Sequence, residues 1–120
     1  MGVLFKRFED MKAWQEADEL ALAIYKILKP INDYGYKDQI QRAAVSVMNN
    51  LAEGFERSSK RAFIHYLLIA KGSSGEVRSM LILGYQLGYF SEEEHQELVD
   101  RAINISRMLQ GLVNSIGIQE

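Results

Sequence analysis

The sequence predicts an all-α protein, an antiparallel up-down-up-down four-helix bundle that assembles as a homo-oligomer. Three observations predict it. Proline occurs once and Val/Ile/Thr alternation is nearly absent, which argues against strands. Apolar residues recur at three- and four-residue spacing through four successive segments, the periodicity of helices with one face turned inward. The segments are joined by short polar or glycine-containing connections, which favour antiparallel neighbours.

The first helix is expected over residues 10 to 29, with Trp14, Ala17, Ala21, Ile24 and Leu28 on one face. Pro30 ends it, because its ring removes a donor and disfavours helix in the residue before it. INDYG reads as a turn. A second helix carries Ile40, Ala44, Val47 and Leu51 as its stripe, with Gly54 as its C-terminal stop. Ser58 or Ser59 caps a third helix reaching about Leu87, where Gly88 closes it. Its stripe of Phe63, Leu67, Ala70, Ser74, Val77, Leu81 and Gly84 alternates steps of four and three, the repeat that near-parallel helices need. Ser91-Glu92-Glu93-Glu94 is a capping box for the fourth helix, its carboxylates at the positive end of the helix dipole. That helix repeats Leu98, Ala102, Ile105, Leu109, Leu112 and Ile116.

With 120 residues, 48% of them hydrophobic, the chain is expected to form one domain, residues 1–120, with a core large enough to need no staples. The absence of cysteine excludes disulfides and thiolate metal sites. MGVLFKRFED lacks the apolar core and small-residue cleavage site of a secretory signal, Lys6 stands where a myristoylation motif requires Ser or Thr, and apolar runs such as residues 80–83 are too short to span a membrane. The expected location is the cytoplasm, with no membrane partner.

The third helix is too apolar for a bundle that stands alone. From Phe63 to Ala70 every residue but His65 is apolar or aromatic, and Met80, Leu81, Ile82, Leu83 and Tyr85 repeat the pattern. A helix apolar all round is generally buried all round. Ile64, Leu68, Ile82 and Tyr85 are therefore expected at an interface between copies. The alternative is that an N-terminal arm (Val3, Leu4, Phe5, Phe8) covers the surplus.

Asn49, Asn50 and Glu53 fall within about one turn, and Ser73 and Ser74 lie midway along the helix expected to pack against them. Such a cluster is either a small polar site or an interhelix hydrogen-bond network; the network is the expected role, since buried polar groups require partners. Glu92-x-x-His95 has the spacing of half a di-iron site, but His65, the other histidine, has Ala62 three residues earlier, so no metal or other cofactor is expected. No P-loop, dinucleotide fingerprint or Ser/His/Asp arrangement occurs, and no catalytic residue is assigned. The net charge of −2 is uneven: residues 37–78 carry +3 and residues 79–120 carry −4. Arg42, Arg57, Lys60, Arg61, Lys71 and Arg78 are the candidate contacts to RNA or DNA, with Arg57, Lys60 and Arg61 clustered near the junction of the second and third helices; otherwise they form a solvated rim paired with the acidic fourth helix.

The stretches Asn50-Leu51-Ala52-Glu53-Gly54 and Gly72-Ser73-Ser74-Gly75-Glu76 carry a resemblance. With the helix pattern, they resemble the bacterial four-helix-bundle family named for proteins encoded in intervening sequences of 23S ribosomal RNA genes, a family related to the accessory protein of diversity-generating retroelements. Gly75 departs from the family pattern, where a larger apolar residue is usual. The resemblance implies a four-helix bundle assembling as ring-like homopentamers. For function it implies a non-catalytic scaffold or accessory protein with itself as partner, and RNA, DNA or a nucleic-acid-processing protein as the further candidate. The retroelement relative, which works with a reverse transcriptase and its template RNA, is strongly basic, and this chain is not.

Overall fold

Ser59 and Ser91 start the two longest helices, and the way each does so shows why the chain breaks where it does. The computed structural model of the chain describes residues 5–118. A short 3-10 turn, Phe8–Asp10, precedes α1 (Lys12–Ile27), α2 (Tyr34–Glu56), α3 (Lys60–Gln86) and α4 (Glu92–Ile118), and the described residues contain no strand. The Ser59 side chain accepts a hydrogen bond from the Ala62 N–H, satisfying one of the donors that open α3. At Ser91 the capping box closes in both directions: Glu94 N–H donates to Ser91 Oγ and Ser91 N–H donates to Glu94 Oε1. Gly88 takes a φ of 83°, the left-handed conformation that ends α3.

Two boundaries differ from the sequence expectation. The segment read as the INDYG turn contributes its second half to α2, because the Asp33 carboxylate accepts from Tyr36 N–H and caps the helix there. Gly54 does not stop α2, which runs on to Glu56. It is instead a contact point between helices: a Cβ at Gly54 would lie 2.8 Å from Tyr66 Cβ and 3.1 Å from Phe63 Cδ1. The first helix is also shorter than the 10–29 span, by about one turn.

Side-chain contacts fix the direction of packing. Tyr36 reaches Met80 and Ser46 reaches Ser73, so α2 and α3 run antiparallel. Lys71 meets Gln110 and Tyr85 meets His95, so α3 and α4 do the same. Arg101 on α4 pairs with Glu19 on α1. The helices form a closed square in chain order, 46 × 20 × 20 Å overall.

The core runs the full length of this square. Every stripe residue expected on α2 and α3 is buried, and those of α1 and α4 are buried except Trp14 and Leu112, which are half-buried. Phe5 and Phe8 pack against the core, Phe8 edge-on to Trp14 at 5.4 Å, and Phe5 lines a pocket with Met11, Ala13, Met108 and Leu112. Phe5 sits at the α1–α4 side and the Phe8–Asp10 turn packs on α1 and α2, so neither covers α3's outer face; Val3 and Leu4 lie outside the described residues.

Candidate functional site

The run Gly72-Ser73-Ser74-Gly75 sits at mid-length on α3 and sends its four residues to three destinations. Ser73 faces α2, where its Oγ lies 2.8 Å from Ser46 Oγ. Asn50 Nδ2 donates to Ser46 O and Oγ at 2.8 and 2.9 Å, so Asn50 is tied to its own helix and reaches α3 through Ser46. Ser74 is buried against α4: its Oγ donates to Ala102 O at 2.9 Å and accepts from Ser106 Oγ at 3.0 Å. Gly72 and Gly75 point outward, and a Cβ on either would meet nothing within 4 Å.

The five polar residues singled out from sequence therefore do not converge. Asn50 and Ser73 belong to an α2–α3 network centred on Ser46, and Ser74 to an α3–α4 network with Ser106. Asn49 is exposed on a groove with Tyr25, Gln41 and Arg42. Glu53 is exposed and ion-paired with Arg57 at 2.9 Å.

The outward face of α3 carries a second stripe. Leu68, Gly72, Gly75, Ser79 and Ile82 follow one another in steps of four and three, and all are exposed. Flanking them are Ile69, Leu83 and Leu87, exposed by 40%, 43% and 50%, against 48% for Leu68 and 44% for Ile82. Of the other residues expected at an interface, Ile64 is half-buried and packs on the core. Tyr85 lies at the α4 border of the face, stacked on His95 with centroids 4.4 Å apart and 16° between planes. His95 Nδ1 is buried without a hydrogen-bond partner.

The cations separate into three groups. Arg42 pairs with Asp38 on α2. At the α2–α3 junction Arg57 is fully engaged, bonded to Glu53 and to the Tyr66 hydroxyl at 3.0 Å with its guanidinium 5.2 Å from that ring centre, while Lys60 is half-buried and Arg61 exposed beside it. Lys71 and Arg78 are elsewhere, in a groove between α3 and α4 of about 390 Å³, and the groove adds Arg107, Ser106, Gln110 and Ile103. The rim reading from sequence required acidic partners on α4. In the described part of α4 the acids are Glu92, Glu93, Glu94, Glu97 and Asp100, all before Arg101, whereas Lys71 and Arg78 face residues beyond it. Arg107 was missed because a summed charge of −4 hides the acid-free second half of that helix.

A fourth constellation stands where α2 begins. Asp33 accepts from the Tyr89 hydroxyl at 2.7 Å and from Tyr36 N–H, and these two bonds, the first the stronger, hold its carboxyl below the ordinary carboxylate value. The same bond to Asp33 raises the Tyr89 hydroxyl. The Tyr36 hydroxyl donates to Met80 O at 2.6 Å, and burial is the first cause of its upward shift. Among the described residues no group of three or more His, Cys, Asp or Glu side chains could hold a metal ion, and no helix is long and apolar enough to cross a membrane.

Residues 9–111 match the family model of the 23S rRNA-intervening sequence protein. Among solved structures, the chain is similar to a protein of unknown function from the S23 ribosomal protein family of Bacteroides thetaiotaomicron VPI-5482, at 22% identity and a TM-score of 0.77 over 85% of this chain and 95% of that one. That likeness is one of fold. No curated protein sequence matches.

Proposed function

From the premise that this chain belongs to the 23S rRNA-intervening sequence protein family, we propose that it works as a homo-oligomeric scaffold without catalysis of its own. Copies join through the outer face of α3. One observation carries this reading: the Leu68–Gly72–Gly75–Ser79–Ile82 stripe is exposed, apolar at both ends and nearly free of side chains between them. Glycines within a helix cost about 1 kcal/mol each relative to alanine. Among the described residues nothing occupies the space next to Gly72 or Gly75, so no contact among them recovers that cost. A second helix approaching closely along the gap would recover it, with the large side chains at either end seated beyond the crossing.

The magnitudes are adequate. Burying the remaining half of a Leu or Ile side chain contributes about 0.8–1.5 kcal/mol, half the value for full burial. Leu68, Ile69, Ile82, Leu83 and Leu87 on one face then contribute roughly 4–7 kcal/mol, and two facing copies twice that. Against association costs of about 4–15 kcal/mol, the full contact leaves a surplus over the lower part of that range and half of it leaves little. Five copies in a ring is the stoichiometry the family resemblance implies; closure then requires each copy's α3 face to meet its neighbour off-centre and head to tail, since a face that pairs only with itself closes at two copies.

Sedimentation velocity at micromolar concentration tests the proposal. Leu68→Glu and Ile82→Glu are expected to release single chains of unchanged helicity. Wild-type protein sedimenting as a single chain would refute it, as would charged variants that assemble like the wild type.

A further inference from the structure

Lys71 is a half-buried ammonium hydrogen-bonded to a neutral partner: its Nζ donates to Gln110 Oε1 at 2.7 Å. Gln110 is itself fixed, its amide nitrogen donating to Asn114 Oδ1 at 2.9 Å, so the ammonium is held against α4. Arg78 and Arg107 line the same groove from opposite helices, and none of the groove's lining residues is acidic. Among the described residues, Lys71, Arg78 and Arg107 take part in no ion pair, although Arg101, one turn and a half earlier on α4, pairs with both Glu19 and Glu97. Three like charges around one groove repel each other unless an anion is shared between them.

We infer that the α3–α4 groove is a binding site for the phosphates of a nucleic-acid strand. Lys71 and Arg78 are seven residues apart on α3, about 10 Å along the helix axis. One phosphate would have to draw both side chains together to touch each, whereas a strand offers successive phosphates along that span. The groove is open rather than enclosed; of its neutral polar groups, Ser106 Oγ already donates to Ser74 Oγ, and the second amide N–H of Gln110 suits a phosphate oxygen. No aromatic ring lines it, so it offers no platform for stacking a base. The site therefore holds a strand in place and does not read its sequence. It also lies beside the Leu68–Ile82 stripe and not on it, so binding and assembly are separable.

The test is fluorescence anisotropy of a labelled mixed-sequence single-stranded RNA, titrated across salt. For three phosphate contacts per chain on a single strand the slope of log affinity against log salt is about −2. Arg107→Gln is expected to bring it to about −1.4, and Lys71→Gln with Arg78→Gln to about −0.7, with affinity at low salt falling several-fold at each step. Light scattering on the same variants should show assembly unchanged, which keeps this result distinct from failure of the α3 interface. Lys26→Gln with Lys29→Gln is the control, since these lysines line a separate groove at the end of α1. Four results would each overturn the inference: no RNA binding at low salt, variant slopes equal to wild type, a slope lost only in the Lys26/Lys29 control, or inorganic pyrophosphate binding as tightly as the RNA.

Discussion

Replacing Gly72 and Gly75 together with alanine separates what the chain needs from what its assembly needs. In a single chain the two new methyl groups meet no other helix or loop of the described residues within 4 Å. Helix propensity then acts alone and favours alanine by about 0.8–1.0 kcal/mol at each position, close to 2 kcal/mol for the pair. For a domain of this size that raises the unfolding midpoint by roughly 6–10 °C. At an α3–α3 interface the same methyl groups stand between two backbones. Overpacking there costs about 1–3 kcal/mol per site, and 1.4 kcal/mol is tenfold in a dissociation constant. The expected result is a chain that unfolds later when dilute and dissociates at a concentration at least tenfold higher. Thermal unfolding below the dissociation concentration, paired with sedimentation velocity across a dilution series, reads both quantities. Unchanged assembly would show that α3 meets nothing closely along this face. Lower stability of the dissociated chain would place the reason for the glycines inside the chain, and the interface reasoning would fail with it.

Gly84→Ala is expected to do the opposite, since its Cβ would collide with the Tyr36 hydroxyl and lie 2.6 Å from Phe90 Cε2; the collision and the loss of the Tyr36–Met80 bond outweigh the propensity gain by about 1–3 kcal/mol, measurable as a lower urea midpoint. Ser74→Ala leaves Ser106 Oγ without its acceptor and Ala102 O without its side-chain donor in a buried site, for a loss of about 1–3 kcal/mol by the same measurement. Asp33→Asn should flatten the acid limb of stability. The folded Asp33 value lies below the unfolded one, so its contribution is present above the unfolded value of about 4 and is lost as pH falls through the folded value. Urea unfolding at fixed pH values from about 5 down to 2 should show wild type losing stability faster than the variant, and parallel limbs would contradict the role given to the Tyr89 bond.

Glycine shows where sequence reading succeeds and where it stops. The inward stripes of α2 and α3 follow from a step of four and three along one segment, so the residues that face the core could be named from spacing alone. The same letter then serves three purposes that spacing does not separate. Gly88 supplies a left-handed turn, and it was recognisable because polar and aromatic residues interrupt the helix pattern around it. Gly54 was read as a stop, yet it lets α2 pass close to Phe63 and Tyr66; this depends on what another helix places opposite it, which lies outside the local pattern. Gly72 and Gly75 complete an outward 4-3 stripe with Leu68, Ser79 and Ile82 that was present in the sequence. It was masked because the inward stripe on the same helix has the same period and larger residues. The polar cluster failed to converge for a related reason: adjacent serines on a helix point about 100° apart, so Ser73 and Ser74 serve different neighbours.

Charge was misread by averaging. Summed over residues 79–120 the chain is acidic, which made α4 the natural partner for the cations of α3. Antiparallel packing decides otherwise. It sets the first turns of α4, where Glu92, Glu93 and Glu94 stabilise the positive end of the helix dipole, beside the C-terminal end of α3 near Tyr85. Lys71 and Arg78 are carried to the other half of α4, where the described residues after Asp100 include arginine and no acid. The acids of α4 are thus gathered in its first turns, and its described later turns carry none. The α3–α4 groove collects Lys71, Arg78 and Arg107 without a counter-charge because of that division, so its electrostatic character follows from helix direction and not from net charge.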